Sequence, residues 1–244
     1  MAEAARTKIG FLGSSAASSP HHASFKKFIP ADIDFTFRQE SATHSSLYDA
    51  EGKVDALIAE SKELIAERGW NGLIISGAPK EALNPGMWEQ ASSALKIPVA
   101  LALRSSVAAL KAFAAKRILL MTPVDDRLKK MYRDYLLEFG IESFYPRQVL
   151  RAHTDAQSLT ANDVEAMTIK ALGEYPNVDA IYFQGALLDP IPILGKLESE
   201  LKLPIVASNP AMLWLVISKL GLSYHIKGYG KLLASWPAVP AGPF

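Results

Sequence analysis

Short apolar runs alternate with longer amphipathic segments along this chain. Each run has the length of a strand and is bounded by polar or turn-forming residues. Continuous apolar runs that are buried on both faces are typical of parallel strands joined by crossover helices. The pattern therefore predicts an α/β fold. The predicted strands are KIGFLG (8–13), DIDFTFR (32–38), NGLIIS (71–76), PVALAL (98–103), RILLMT (117–122), DAIYFQ (179–184) and PIVAS (204–208).

Two of the amphipathic segments predict helices with clear ends. After Asp49, apolar residues recur at helical spacing until Gly69, which stands where a C-terminal cap belongs. From Val124 onwards the same spacing continues until Gly140. We therefore expect both helices to end at these glycines.

Helix starts are also readable in the second half of the chain. Thr160 and Asp163 resemble a capping box, in which each side chain satisfies a free backbone N–H group. Asn209 followed by Pro210 predicts an N-cap and a first helical position, with Gly221 after the last turn.

The chain contains an internal repeat. One pair of segments aligns without a gap at an offset of 108 residues, and the next pair aligns at an offset of 106. The segments KIGFLGSSA and RILLMTPVD open the two repeats as first strands. The aligned pairs are NGLIISGAP with DAIYFQGAL, and KIPVALALRSS with KLPIVASNPAM.

Two similar halves of about a hundred residues indicate a duplication with a pseudo-two-fold axis. We expect the first half to comprise residues 1–115 plus about 222–244, and the second to comprise residues 116–221. Open parallel sheets bind ligands beyond the carboxyl ends of their strands. Two facing halves would place both sets of strand ends in one cleft, where we expect the active site.

Composition excludes several classes of function. The chain has 244 residues, 49% hydrophobic composition and a net charge of +1, which is typical of a soluble globular protein. Without a basic stripe we expect no nucleic-acid partner, and no apolar run approaches the ~20 residues of a membrane span. The N-terminal residues lack a signal-peptide pattern, so we expect a cytoplasmic protein. Zero cysteines exclude disulfides, thiolate metal sites and cysteine nucleophiles.

Three segments carry a family signature: RILLMTP (117–123), GALLDPIPILGKLESELKLPIVASNPAMLW (185–214) and GYGKLL (228–233). They resemble the aspartate/glutamate racemase superfamily, and within it the branch of maleate cis-trans isomerases and arylmalonate decarboxylases. The resemblance extends over nearly the whole chain. It implies two flavodoxin-like halves, each with a parallel sheet flanked by helices, and an active-site cleft between them.

The chain departs from that family where its chemistry is located. Racemases and isomerases of the family use two cysteines, one from each half, and the decarboxylases keep the second as proton donor. Both positions are glycine here, Gly77 and Gly185. The inherited thiol mechanism is therefore unavailable. At further family positions, hydrogen-bonding side chains are replaced by Ala78, Ala186, Val124, and Ala16 or Ala17.

The paired glycines allow two interpretations. The backbone could require an unusual φ or close packing, or the missing side chains could make room for a ligand and expose N–H groups to the cleft. We favour the second, because two symmetric positions that both carry the family's chemistry are unlikely to need the same turn by accident. Loop amides before a helix bind anions, with about 0.3–1 kcal/mol from the dipole alone, so we expect a small carboxylate ligand. The candidate binding residues are Ser14, Ser15, Ser76, Gly77, Ala78, Val124, Gln184, Gly185, Ala186 and Asn209.

Several of these residues have a plainer interpretation. Ser14 and Ser15 lie in a serine-rich loop, which is equally typical of solvated turns and helix caps. By strand alternation, Ser76 and Gln184 point away from the side that the following glycine faces, so a packing role is at least as plausible for them. Asn209 is most simply an N-cap.

A different group must carry the proton if the thiols are absent. Our candidates are His21 and His22 after the serine-rich loop, and Tyr48, with His44 as a weaker alternative. Exposed loop histidines are common, which favours a plain surface role. Asp125 begins a helix, where an acidic residue is favourable whatever the function. The histidines lack metal-ligand spacing and no phosphate-binding glycine motif follows a strand, so we expect no metal or organic cofactor.

These observations favour a cofactor-independent lyase or isomerase that acts on a malonate- or maleate-like acid through an enolate-like anion. Decarboxylation or a related bond cleavage ranks above racemization, because a lyase needs one proton carrier and a racemase needs two. The alternative is an inactive protein that still binds small carboxylates. We expect a homo-oligomer, with the proline-rich tail ASWPAVPAGPF (234–244) either disordered or laying Trp236 and Phe244 on a neighbouring subunit.

Overall fold

The computed structural model describes residues 6–19, 22–42, 46–146, 150 and 153–244. Within them, the strands form two four-stranded parallel sheets of the same topology, which confirms the predicted α/β fold with two similar halves. The first sheet has the order β2-β1-β3-β4, from β1 (Lys8–Gly13), β2 (Asp34–Gln39), β3 (Gly72–Ile75) and β4 (Val99–Leu101). The second has the order β6-β5-β7-β8, from β5 (Arg117–Met121), β6 (Glu142–Phe144), β7 (Ala180–Phe183) and β8 (Ile205–Ala207).

Helices connect successive strands, and several of them begin or end at the capping residues that the sequence predicted. Gly69 follows the second helix with a φ of 66°, and Gly140 follows the sixth with a φ of 74°, so both occupy the left-handed region. The Thr160–Asp163 capping box is present. Among the described helices, none combines the length and apolar character that a bilayer crossing requires. The helices are α1 (Ala23–Lys26), α2 (Val54–Arg68), α3 (Ala78–Leu83), α4 (Met87–Leu95), α5 (Ala102–Ala112), α6 (Asp126–Glu138), α7 (Ala161–Glu174), α8 (Leu194–Leu201), α9 (Ser208–Lys219) and α10 (Lys231–Ser235).

Two sequence predictions about elements were wrong, and one strand was missed. Asn209 is not the N-cap of α9, because the helix begins at Ser208 with Ala207 as its cap, so Pro210 occupies the third position. The predicted strand 98–103 ends at Leu101, and the chain turns at once into α5. The short strand β6 was missed, because its few residues show no apolar run.

The same hydrogen bonds hold the start of each half. The side chain of Asn71 accepts a bond of 2.8 Å from the backbone N–H of Lys8, and Asp179 accepts one of 2.9 Å from the N–H of Arg117. Each acceptor stands directly before the central strand of its sheet, β3 or β7. The sequence repeat therefore reflects one strand arrangement that is built twice.

Helices α5 and α9 pack against each other between the sheets. Helix α5 contacts β4 and β8, and α9 contacts β3, β4 and β8, so each helix bridges both halves. The buried apolar residues of the two halves accordingly form one shared core, while a second apolar cluster covers the outer face of the first sheet. The domain limits near residues 115 and 222 stay a prediction, because the shared core contains buried residues from both sides of these limits.

The C-terminal tail packs on its own chain, which corrects both alternatives given for it. Trp236 is 8% exposed and Phe244 is 5% exposed. The indole N–H of Trp236 donates to the Ser218 hydroxyl at 3.1 Å. The guanidinium of Arg104 donates to the Pro243 carbonyl at 2.9 Å. These contacts bury both aromatic rings without a neighbouring subunit.

Candidate active site

A central cavity of about 290 Å³ lies at the carboxyl ends of both sheets. Its wall includes residues that follow β1, β3, β4, β5, β7 and β8, as expected for facing halves. Gly77 and Gly185 both belong to this wall. All ten predicted binding residues line it: Ser14, Ser15, Ser76, Gly77, Ala78, Val124, Gln184, Gly185, Ala186 and Asn209.

Both glycines have a backbone conformation that excludes most other residues. The φ angle is 108° at Gly77 and 103° at Gly185, in the region that side chains with a Cβ atom rarely adopt. A Cβ atom at Gly185 would make an ordinary contact of 3.5 Å with Pro123. The structure thus gives the conformational explanation more weight than we gave it from the sequence. The glycines meet a backbone requirement and line the cavity as well.

Ser76 and Gln184 combine packing with a place in the wall. Gln184 is 4% exposed, and its side-chain oxygen accepts a bond of 2.7 Å from the Thr122 hydroxyl. The Ser76 side chain packs against Gly13. A Cβ atom at that glycine would stand only 2.4 Å from the Ser76 hydroxyl oxygen, so the glycine makes room for the serine. These side chains are held by the protein itself, as the packing interpretation predicted.

The serine-rich loop is anchored at its first residue. The carbonyl of Ser14 accepts a bond of 3.0 Å from the Gln39 side chain, while its hydroxyl accepts one of 3.3 Å from the ammonium of Lys80. Ser14 itself is exposed. A hydroxyl in contact with both the cavity and a buried cation can bind an anion or pass a proton.

The candidate proton carriers occupy different environments. His22 is 6% exposed, lines the cavity, and packs against Phe11 and Phe37 with ring centroids 5.4 and 4.5 Å away. Tyr48 is not among the described residues of the wall. Its hydroxyl donates to the Asp125 carboxylate at 2.7 Å, and burial together with this bond raises the pKa of Tyr48 to about 12. His21 and His44 lie outside the described residues, and a catalytic role for His21, His22 or Tyr48 stays a prediction.

Lys80 is the residue that sequence reasoning missed. It lies in the first turn of α3, is 6% exposed, and forms an ion pair of 2.8 Å with Glu40. Its ammonium also donates to the Ser76 carbonyl at 2.8 Å. Burial lowers the pKa of Lys80, whereas Glu40 and then Glu60 act to raise it. The sequence did contain a signal for Lys80. It is a charged residue that follows the apolar residues Ala78 and Pro79 directly after Gly77.

The cavity is suited to an anion. Among the described residues of its wall none has a carboxylate side chain, and His22 is the ionisable one. The N-terminus of α5 is already occupied, because the buried carboxylate of Glu81 accepts from the N–H groups of Leu103 and Arg104. At the equivalent end of α9, Ser208 and Asn209 line the cavity instead. The positive end of that helix is therefore directed to the cavity. In the part of the chain that the structure describes, no three His, Asp or Glu side chains are grouped to hold a metal ion.

A sequence profile of the arylmalonate decarboxylase family matches residues 75–233, which is more than half of the chain and includes both glycines. The chain belongs to the arylmalonate decarboxylase family. This membership confirms the resemblance inferred from the three sequence segments. Among curated proteins, none matches the chain by sequence.

Solved structures show the same fold as this family member. The maleate isomerase Iso from Pseudomonas putida S16 has a TM-score of 0.80 and 16% identity, over 94% of this chain and 99% of that chain. Arylmalonate decarboxylase has a TM-score of 0.77 and 18% identity, over 93% and 99%. A cysteine-to-serine variant of the Nocardia farcinica maleate cis-trans isomerase, with a covalently bound succinylcysteine intermediate, has a TM-score of 0.72 and 18% identity, over 94% and 98%. At such identities the likeness supports the fold alone.

Proposed function

We propose that this family member is a cofactor-independent lyase that removes CO2 from a small malonate-type acid without a cysteine. The observation that carries the proposal is the central cavity itself: it lies at the family's strand ends, contains hydroxyl and main-chain donors, and has no carboxylate among its described wall residues. Its volume of about 290 Å³ is near the lower end of ligand pockets, which suits a small acid.

The wall offers donors to both carboxylates of such a substrate. The wall includes Ser14, Ser15, Ser208 and Asn209, whose side chains carry hydroxyl or amide donors, and Ala78 and Ala186, whose backbone carries N–H groups. When one carboxylate leaves as CO2, the electron pair of the broken C–C bond moves toward the other carboxyl group. Donors fixed in place stabilise the resulting enolate-like anion, because they need no reorganisation during the reaction.

Decarboxylation fits this wall better than racemization. A racemase needs two opposed acid/base groups, and the family positions for them are occupied by Gly77 and Gly185. A decarboxylase needs one proton delivered to one carbon. A site with a single proton source is therefore sufficient for the reaction.

The direct test is turnover of an acid panel by the purified protein. Phenylmalonate, methylmalonate, maleate and a 2-hydroxy acid are each incubated without added metal or cofactor, and products are measured by proton NMR together with CO2 release. We expect CO2 and a monocarboxylic acid from a substituted malonate. Ser15→Ala should lower the rate, whereas Ser199→Ala, at an exposed serine on α8, should not change it.

A specific observation favours a second candidate function, a protein that binds small carboxylates without turning them over. The thiol positions and further hydrogen-bonding positions of the family are replaced together, yet the cavity keeps its donors. Calorimetric binding of the same acids with no product from any of them would support this second function and contradict the first.

A further inference from the structure

Lys80 lies directly behind the wall of the central cavity. Its ammonium nitrogen is 3.1 Å from the position that a Cβ atom at Gly77 would occupy. It is also 3.3 Å from the hydroxyl oxygen of Ser14, which lines the cavity. A cation thus lies in tight contact with the position where a side chain at the end of β3 would begin.

Three oxygen-bearing groups surround this ammonium. It donates to the Ser76 carbonyl at 2.8 Å and to the Ser14 hydroxyl at 3.3 Å, and it forms an ion pair of 2.8 Å with the Glu40 carboxylate. An ammonium has three N–H donors, so it can serve these partners together. One of its hydrogen bonds is therefore directed to the serine of the cavity wall.

A second cavity adjoins Lys80 on its other side. This adjacent cavity has a volume of about 350 Å³, and its wall includes Glu40 and Lys80 as well as Ser41, Lys53 and Glu60. Ser41 and Lys53 are exposed at its rim, and the Ser41 hydroxyl donates to Glu60 at 2.7 Å. The buried ion pair consequently lies between the central cavity and a cavity that reaches the surface.

We propose that Glu40, Lys80 and Ser14 form a proton relay that carries protons from the adjacent cavity into the central cavity. Ser14 is the residue that contacts the substrate, and Lys80 is the positioning residue that resupplies the proton of Ser14. This inference rests on the proposed decarboxylation. It assigns the proton source that the missing thiols leave open.

The relay balances the reaction. Loss of CO2 breaks the C–C bond and leaves its electron pair on the α-carbon. That carbon takes the hydroxyl proton of Ser14, and the serine oxygen takes a proton from the Lys80 ammonium. The neutral amine of Lys80 then recovers a proton from solvent on the side of Glu40. One proton from solvent is consumed for each CO2 released, and the relay returns to its starting charge.

The charges around Lys80 suit this role. Burial lowers its pKa, which makes the ammonium a better proton donor, while the nearby carboxylates of Glu40 and Glu60 act in the opposite direction. Among the described residues in the wall of the adjacent cavity, Lys53 is the other cation. Because the relay requires protonated Lys80, activity should fall as the pH rises through a pKa below 10.5.

The kinetic test uses phenylmalonate with Lys80→Arg and Lys80→Met, and Lys62→Met at an exposed lysine of α2 as the matched control. We expect kcat to fall about 10²–10⁴-fold in both Lys80 variants with little change in KM. The alkaline limb of the pH profile should disappear in Lys80→Arg, because arginine stays protonated up to pH ~12. Unchanged kcat and an unchanged alkaline limb in these variants would overturn the relay while leaving the decarboxylase proposal intact.

A second measurement does not depend on turnover. The titration of Lys80 is followed by NMR of ¹³Cε-labelled lysines, with Lys80→Arg to assign the signal, in the presence and absence of phenylacetate. Phenylacetate should shift the Lys80 titration in the natural protein and should shift it much less in Ser14→Ala. If this coupling is found without phenylmalonate turnover, the contact between Lys80 and the central cavity through Ser14 stands and the proposed decarboxylation fails. If phenylacetate binds and the Lys80 titration does not respond to it, the relay is wrong.

Discussion

The hydroxyl of Tyr48 donates to the carboxylate of Asp125 at 2.7 Å and so joins the two halves beside the central cavity. Asp125 is also the N-cap of α6, where it accepts from the N–H of Leu128 at 3.0 Å. The chain neighbours Leu47 and Val124 both line the cavity. This single bond therefore fixes two parts of the cavity wall relative to each other.

Removing this bond should destabilise the protein modestly. Tyr48→Phe deletes the hydroxyl and keeps the ring, so we expect the free energy of unfolding to fall by about 0.5–1.5 kcal/mol. Urea denaturation followed by circular dichroism measures the change. Tyr175→Phe, at a half-buried tyrosine that packs on Phe144, is the control. Equal stability of Tyr48→Phe and the natural protein would show that the bond contributes nothing in solution.

The same bond has a signature at high pH. The pKa of Tyr48 is raised from 10.0 to about 12, by burial and by the bond to Asp125. Because the folded state favours the neutral phenol, its contribution to stability is complete below pH 10 and is lost as the pH rises through 12. Ultraviolet titration of the natural protein minus that of Tyr48→Phe should show one phenol ionising near pH 12. A difference titration with its midpoint near pH 10 would show that neither burial nor the bond to Asp125 raises the pKa of Tyr48.

The two cavity glycines should resist substitution to different degrees. Both have a positive φ, so alanine at either position should lower the free energy of unfolding by about 1–3 kcal/mol. The loss should be larger for Gly77→Ala, because its Cβ atom would stand 3.1 Å from the Lys80 ammonium, whereas at Gly185 the contact with Pro123 is an ordinary 3.5 Å. Thermal and urea unfolding measure both variants.

Gly173→Ala is the matched control for these substitutions. This glycine lies in α7, has no positive φ, and a Cβ atom there would meet nothing within 4 Å. We therefore expect Gly173→Ala to raise the free energy of unfolding by about 0.4–1 kcal/mol. If alanine were equally harmless at all three positions, the backbone argument for the cavity glycines would fail.

Glu81 should be important for stability without contacting the ligand. Its buried carboxylate accepts from the N–H groups of Leu103 and Arg104 and from the hydroxyl of Tyr135 on α6. Glu81→Ala leaves these donors without an acceptor, so we expect a loss of about 1–3 kcal/mol in the free energy of unfolding. Glu81→Gln keeps the side-chain oxygen and should lose less.

The stabilisation by Glu81 should also depend on pH. Burial raises its pKa above 4.5, against the opposing effect of its hydrogen bonds. The folded state therefore holds this proton more tightly than the unfolded state. The contribution of the protonated Glu81 side chain to the free energy of unfolding is complete below pH 4.5, and it is lost as the pH rises through the folded-state pKa. Urea denaturation of the natural protein and Glu81→Gln between pH 4 and 8 measures the difference, which should be largest at the acid end.

Much of the fold was readable from the sequence because it depends on local patterns. The apolar runs identified seven of the strands, and Gly69 and Gly140 marked helix ends through their own backbone preferences. The predicted strand 98–103 extended into the first turn of α5, because the Glu81 carboxylate from another helix caps that turn. A cap supplied across the fold leaves no trace in the residues next to the helix.

The candidate site divides in the same way. Residues that follow strands, such as Ser14, Gly77 and Gly185, were identified because parallel strands with the same topology bring their carboxyl ends together. The bond between Tyr48 and Asp125 was not, since it joins segments far apart in sequence, one from each half. The role of Tyr48 as a proton carrier stays a prediction, and the structure shows its hydroxyl bonded to the Asp125 carboxylate.

The sequence by itself determined the two repeated α/β halves, the glycines at both strand ends and the absence of a thiol, because each follows from residue type and periodicity. Only the tertiary structure decided which charged group stands beside Gly77. The loop that follows β1 supplies Ser14, the chain just after β2 supplies Glu40, and α3 supplies Lys80. Burial of an ammonium is stable only where acceptors from several segments converge on it, and such convergence is a property of the folded chain.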